Sequence, residues 1–155
     1  MLRLLSMMVI VAALLVGCGS VRGSLEETRM TEAEALARVE QLINGTVAVL
    51  DPKPQLEVVP TSMENSECGS DGDAEGRISV GREYYLRGIP KGRIDSVAQQ
   101  VKRYWDQQGY RVEGVSKSGR SITARSAPDD FFLALGAAGD DALVIGASST
   151  CVLPN

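Results

Sequence analysis

The sequence predicts an α+β domain of the order α-β-α-β-β-β-β, with two helices, a mostly antiparallel sheet and one disulfide. Two segments repeat apolar residues at helical spacing, and five others alternate in the way that strands do. Residues typical of turns separate the last four of these strands. Cys68 precedes the first full strand and Cys151 follows the last one. These observations predict a single domain over residues 31–155, long enough to bury a core.

The first predicted helix begins at a capping box, in which Thr31 and Glu34 each accept a hydrogen bond from the other's backbone N–H. Apolar residues then recur at helical spacing and predict one buried stripe. We expect this helix to continue to about Leu50, before the Asp51-Pro52 stop, although Asn44-Gly45 is an alternative earlier end. The stripe consists of Leu36, Val39, Ile43, Val47 and Leu50.

Residues 52–76 are rich in Pro, Ser, Gly and acidic residues, which predicts an irregular segment with at most a short extended run at 56–59. From Arg77 the pattern alternates with period two and predicts a strand of about eleven residues. One face of this strand carries Ile78, Val80, Tyr84 and Leu86, and the other carries Ser79, Gly81, Glu83 and Tyr85.

Pro90 opens the second predicted helix, and Gly109 is its natural C-terminal cap. Trp105 lies within the apolar stripe of this helix, so core packing outweighs ligand stacking as its role. The stripe contains Ile94, Val97, Ala98, Val101 and Trp105. Turns rich in Gly, Pro and Asp separate four further strands, at 110–116, 121–126, 131–137 and 142–149.

The order of the elements predicts how the two late cysteines meet. A strand–helix–strand crossover makes the strand after the second helix parallel to the strand before it. Three hairpins then reverse the chain, so the last strand ends where the first begins, which brings Cys68 and Cys151 together as a predicted disulfide. Closing a loop of about 84 residues stabilises a fold by about 4 kcal/mol in the chain-entropy model. The alternatives are two free buried thiols or a metal site, for which two cysteines without histidine are poor ligands.

The first residues are typical of an export signal, because Arg3 supplies a positive charge and residues 4–16 form an apolar run. The run is short for a helix across the ~30 Å of bilayer hydrocarbon. Residues 15–18, Leu-Val-Gly-Cys, resemble the lipobox of bacterial prolipoproteins. The resemblance implies cleavage between Gly17 and Cys18 and a diacylglyceryl group on the Cys18 thiol. An ordinary secretory signal with an incidental cysteine, or a short membrane anchor, is the alternative.

On this interpretation residues 1–17 are a lipoprotein signal peptide, and residues 18–30 are an acylated cysteine followed by a polar tether of about 20 Å reach. Acyl chains would hold the domain at the extracytoplasmic face of the cell membrane. The element order and the late cysteine pair look like those of small exported lipoproteins of high-GC Gram-positive bacteria. That resemblance carries no catalytic residue over to this chain.

Composition excludes several classes of function. The chain contains no histidine, which removes histidine-based catalysis and the commonest metal ligand. Loss of Arg3 with the signal would leave 15 basic and 20 acidic residues, a formal charge of −5. A mildly acidic domain has no electrostatic reason to bind nucleic acid. Familiar nucleotide-binding and hydrolase motifs are also missing from the sequence, so we expect no cofactor and no enzymatic activity.

Two acidic patterns are candidate sites, each with a plain structural explanation. Residues 71–76 resemble the first half of an EF-hand calcium loop, but Arg82 stands where that loop requires a bidentate glutamate. We therefore expect a solvated acidic loop and assign no metal to it. Asp129-Asp130 and Asp140-Asp141 are paired carboxylates of the kind that glycosidases use, but both pairs lie in predicted turns, where aspartate is favoured for local hydrogen bonds.

The last two predicted strands have an unusual second face. One face is heavily apolar, and the opposite face is small and flat but uncharged, although a solvated sheet face normally carries polar side chains. We therefore expect something to cover it: either the first helix, or a partner or apolar ligand. The possible binding face consists of Phe132, Ala134, Gly136, Val144 and Gly146, with Tyr85 from the earlier strand.

The sequence thus leads us to expect a non-enzymatic, lipid-anchored envelope protein that binds a protein partner or a small ligand. One alternative is a carrier of a lipid or another apolar molecule, which requires an enclosed apolar cavity of a few hundred Å³. The other is an envelope hydrolase with two carboxylates about 5–10 Å apart in a cleft.

Overall fold

A computed structural model describes residues 30–69, 75–139 and 142–155. A six-stranded sheet and two α-helices form two layers, and a separate two-stranded ladder lies beside them. The helices are α1 (Glu32–Ala48) and α2 (Ile94–Gln107). The strands are β1 (Gln55–Val58), β2 (Ser66–Glu67), β3 (Ile78–Ser79), β4 (Gly81–Arg87), β5 (Arg111–Val115), β6 (Ile122–Arg125), β7 (Phe132–Ala137) and β8 (Leu143–Ser148). The predicted α+β class is confirmed.

The six strands follow the order β1-β4-β8-β7-β6-β5, and every neighbouring pair is antiparallel. An even number of antiparallel pairings separates β4 from β5, so these two strands run parallel and α2 connects them, as the sequence predicted. Gly81 at the start of β4 pairs with Ser148 at the end of β8. The last strand therefore ends where β4 begins, which confirms the predicted directions.

Helix α1 begins as predicted, because both hydrogen bonds of the capping box form. Thr31 N–H donates to Glu34 Oε2 at 2.9 Å, and Glu34 N–H donates to Thr31 Oγ1 at 3.3 Å. The helix passes through Asn44 and Gly45 and ends at Ala48, close to the predicted stop. Leu50 lies just beyond the helix and is buried, which completes the apolar stripe.

Helix α2 begins later than predicted. Pro90 precedes a 3-10 turn at Lys91–Arg93, and the α-helix starts only at Ile94. Trp105 is fully buried, as its position in the stripe predicted, and its indole N–H donates to Thr46 Oγ1 at 3.0 Å. The Thr46 hydroxyl in turn donates to the carbonyl of Leu42, so this polar pair in the core is satisfied.

The prediction of one eleven-residue strand from Arg77 is wrong, because the chain changes partners at Val80. Before it, β3 pairs with β2 in the small ladder, and after it, β4 joins the main sheet. The Val80 N–H donates to the side-chain oxygen of Ser149, and the Val80 carbonyl accepts from the Ser149 N–H. The segment expected to be irregular also holds more structure than predicted: besides β1 and β2 it contains a 3-10 helix at Pro60–Met63.

The core lies between the sheet and the two helices. Large side chains of β7 and β8 meet the apolar stripes of α1 and α2 in one continuous cluster. The largest fully buried members are Trp105, Phe131, Ile43, Leu86, Ile94, Ile122, Leu133, Leu135, Leu143 and Ile145. At the edge of this layer the Tyr84 hydroxyl donates to Glu40 at 2.7 Å, and burial together with that bond raises the pKa of Tyr84 to about 12.

Cys68 and Cys151 form the predicted disulfide, with their Cα atoms 6.2 Å apart. The bond ties the residue after β2 to the residues that follow β8. Two antiparallel hydrogen bonds between Ile78 and Val152 reinforce the same junction. The C-terminal segment also pairs with the entry of α1, through a bridge between Thr31 and Leu153.

Candidate functional site: the open face of the sheet

Both helices lie on the same side of the sheet. Their buried residues join one cluster with Leu133, Leu135, Leu143 and Ile145, so they cover the heavily apolar face. The alternative that α1 covers the opposite face is therefore wrong. The possible binding face predicted from the sequence is the side without helices, and we call it the open face. Its residues Tyr85, Phe132, Ala134, Gly136 and Val144 are half-buried, and Gly146 is buried.

The strand register brings the predicted residues of the open face together. Tyr85, Val144 and Gly136 are direct cross-strand neighbours in one row. Gly146 and Ala134 are paired in the adjacent row, and Phe132 pairs with Ser148 in the row after that. The residues chosen from alternation alone therefore form one contiguous surface.

A segment that the sequence did not indicate borders the open face. Residues 59–66, which include the 3-10 helix, follow β1 along the edge of β4. Glu83 anchors this segment: its N–H donates to Ser62 Oγ at 2.9 Å, and its carbonyl accepts from the Val59 N–H at 2.9 Å. A groove of about 300 Å³ lies between this segment and strands β4, β8 and β7. Its apolar floor consists of Phe132, Ala134 and Gly146.

Glu83 is a site residue that sequence reasoning did not select. Its side chain lies flat over Gly146, since a Cβ atom at Gly146 would come within 2.9 Å of Glu83 Cγ and 3.6 Å of Glu83 Oε1. The alternation of the strand had placed Glu83 on the same face as Tyr85. Only the register with β8 shows that a glycine lies opposite it.

The row that begins at Glu83 continues across the sheet as a trough of small residues. Gly146, Ala134, Thr123 and Gly114 follow Glu83 in direct register, one from each of β8, β7, β6 and β5. A bulge in β5 between Val112 and Gly114 keeps the glycine in register with Thr123. A Cβ at Gly114 would lie only 3.0 Å from Thr123 Oγ1, so glycine fits this end closely.

Arginines on the open face already contact aromatic rings or carboxylates of the protein. The Arg87 guanidinium lies 4.3 Å from the centre of the Tyr85 ring and pairs through two hydrogen bonds with Glu57. That pairing lowers the pKa of Glu57 and raises the pKa of Arg87. Arg125 lies 5.2 Å from the centre of the Phe132 ring.

The remaining arginines of this region also have partners. Arg125 contacts Glu113 at 3.5 Å, and Arg111 contacts Glu113 at 3.1 Å. The Nη1 atom of Arg82 donates to the carbonyl of Gly81 at 2.6 Å and lies 3.5 Å from the carbonyls of Ser62 and Met63. The carboxylates of Glu64 and Glu83, which both line the groove, have no hydrogen bond or ion pair to any residue that the structure describes. These two carboxylates outnumber the Arg82 guanidinium, which lines the same groove, so the net charge of the lining is negative.

Asp129 has the structural role expected of a turn aspartate. Burial alone would raise its pKa, but hydrogen bonds from Arg38 and Ser126 outweigh that effect and lower the pKa of Asp129. Its neighbour Asp130 has a left-handed backbone at φ 56° and an exposed contact with Arg111. Asp140 and Asp141 lie outside the described residues.

Other predicted sites also fall outside the described ranges. Gly17, Cys18 and nearly all of the tether precede residue 30, and most of the calcium-like loop lies at 70–74. Among the described residues, no group of three or more His, Cys, Asp or Glu side chains is arranged to hold a metal ion. No helix in this part of the chain is both long and apolar enough to span a bilayer.

Comparison with known proteins found no relative of this chain. The chain matches no protein-family model, and neither the curated proteins nor the solved structures contain a significant match to it.

Proposed function

We propose that this protein is a lipid-anchored, non-enzymatic protein of the cell envelope that binds a protein partner or a small ligand on the open face of its sheet. Cys18 would carry the diacylglyceryl anchor after cleavage at Gly17. The disulfide between Cys68 and Cys151 supports an oxidising compartment, because such bonds persist outside the cytoplasm. The sequence of residues 15–18 supports acylation of the exported chain.

The open face is the single observation that carries the binding role. Phe132, Ala134, Gly136, Val144 and Gly146 form an uncharged patch on this sheet surface, yet both helices pack on the other side. An antiparallel sheet facing water normally presents polar side chains there, and apolar patches at a surface are typical of interaction sites. A partner seated on this face would bury Phe132, Val144 and Tyr85.

The anchor is tested by Cys18→Ser in the full-length chain. We expect loss of labelled fatty-acid incorporation and release of the protein from the membrane fraction. The double variant Cys68→Ser/Cys151→Ser is the matched control, because it also replaces cysteine by serine but leaves residues 15–18 intact, so it should still be labelled. Equal labelling and membrane retention of Cys18→Ser would contradict the anchor.

The binding face is tested by placing a photo-crosslinking amino acid at Ala134 in cells. The same amino acid at Arg103, which is exposed on the outer side of α2, is the control. We expect a discrete cross-linked product from position 134 and none from position 103. Equal products from both positions, or a product from 103 alone, would contradict the proposed face.

A further inference from the structure

The trough of small residues has the length of an extended peptide. Its row runs from Glu83 through Gly146, Ala134 and Thr123 to Gly114, with one residue from each of five adjacent strands. Strands lie about 4.8 Å apart, so the row spans about 19 Å. An extended chain rises about 3.3 Å per residue, so about six residues fit along it. A free amine or a single amino acid would fill only a fraction of this length.

Side chains on the two neighbouring rows make the row a trough. Tyr85 and Val144 stand on one side of it, and Phe132 and Ser148 stand on the other. The central positions are glycine, alanine and threonine. A peptide lying across the strands would therefore have short side chains beneath it and larger ones beside it. The segment 59–66 closes the Glu83 end, where the groove of about 300 Å³ lies.

The closed end of the trough, at Glu83, carries two carboxylates. The Glu83 and Glu64 carboxylates line the groove without a partner among the described residues. The Arg82 guanidinium lines it too and donates to backbone carbonyls, so the net charge of the lining is negative. The Glu83 carboxylate lies at the start of the trough because Gly146 leaves room for it. A cation at the end of a long aliphatic stem would place its stem on the apolar floor and its charge beside these carboxylates.

From these features we propose that the open face binds an extended polypeptide segment of a partner protein, with a lysine side chain of that segment seated against Glu83 and Glu64. This inference rests on the proposed function and names the ligand of the same face. Attraction between the ammonium and two carboxylates at a half-open site weakens with ionic strength, so the interaction should be salt-sensitive.

The test uses the acylated chain from Cys18 onward, labelled with ¹⁵N and held in a nanodisc. The probe is a capped alanine peptide with one central lysine, and its control has norleucine in place of lysine. We expect the lysine peptide to shift the amide signals of Gly146, Ala134, Thr123 and Gly114, and the norleucine peptide to bind about tenfold more weakly. Equal binding of the two peptides would overturn the proposal.

Two pairs of variants separate the site from general electrostatics. Glu83→Gln should weaken binding of the lysine peptide about tenfold, whereas Glu67→Gln removes the same charge outside the groove and should leave binding unchanged. Gly146→Ala keeps every charge but pushes the Glu83 side chain aside, so it should weaken binding as well. Gly92→Ala adds the same methyl group in the 3-10 turn before α2, where no atom lies within 4 Å, and should leave binding unchanged.

Other outcomes have defined meanings. Equal weakening by Glu67→Gln, or unchanged binding of Gly146→Ala with its signals otherwise intact, would overturn the role of Glu83. If butylamine binds as tightly as the peptide, the ligand is a small amine and the polypeptide is excluded. Failure of the lysine peptide alongside a retained cross-link at Ala134 would reject only this inference, whereas loss of that cross-link would reject the proposed binding face itself.

Discussion

The two faces of the six-stranded sheet differ in the size of their uncharged side chains, and only one face is covered by helices. The face covered by α1 and α2 carries large residues such as Leu133, Leu135 and Ile145, all fully buried. The open face carries Ala134, Gly136 and other small residues between a few rings. Hydrophobic stabilisation grows with the apolar area removed from water, at about 25 cal/mol per Å². The helices therefore gain more on the leucine-rich face, and they leave the flat face uncovered.

The largest effect is expected from removing the disulfide, which lies beside the segment bordering the open face. Cys68→Ser/Cys151→Ser should lower the free energy of unfolding by about 4 kcal/mol, because the unfolded chain is no longer closed into a loop. Urea-induced unfolding of residues 19–155 measures this. Hydrogen exchange should rise more at residues 59–69 than in α2; a uniform rise would remove the distinction between the two regions.

A leucine of the covered face should matter more than a valine of the open face. Leu133→Ala removes a fully buried side chain and leaves a cavity, so the free energy of unfolding should fall by about 3 kcal/mol. Val144→Ala on the half-buried face should cost less than about 1 kcal/mol. The two midpoints of urea unfolding give the comparison. Equal losses would mean that the open face is packed in the isolated domain.

Replacing one threonine on each side of the sheet should give a smaller difference in the free energy of unfolding. Thr46→Val leaves the buried Trp105 indole N–H without its acceptor, so we expect a loss of about 2 kcal/mol. Thr123→Val makes the same change on the open face, where it should shift stability by less than about 0.5 kcal/mol. Thermal unfolding of both variants, with tryptophan fluorescence as the signal, distinguishes these outcomes. A neutral Thr46→Val would show that the indole finds another acceptor.

The smallest expected change in the free energy of unfolding depends on pH. The folded state lowers the pKa of Asp129 below its ordinary value of 3.8, so this carboxylate contributes stability that is present above that value and lost as pH falls through the folded pKa. Asp129→Asn should cost about 1 kcal/mol at pH 7 and progressively less in acid. Asp130→Asn, at the exposed neighbour, should change little. An Asp129→Asn penalty that persists in acid would contradict an ionic role.

Prediction from sequence succeeded where the cause is local. The capping box at Thr31, the stripe through Trp105 and the strand ends near the turns follow from hydrogen bonding and periodicity within a few residues. Prediction failed at Val80, because that strand breaks through bonds to Ser149, which is distant in the sequence. The segment 59–66 was also missed, since its fold depends on the backbone of Glu83.

The sequence by itself determined the fold class and the directions of β4 to β8, because periodicity and turn residues act within a few residues. From those directions it also predicted the pairing of Cys68 with Cys151. It also marked the residues of the open face as one surface. Only the tertiary structure decided which side the helices cover and that Glu83 lies over Gly146. Alternation tells which residues share a face, but the register that places one strand's glycine opposite another's glutamate exists only once the strands have paired.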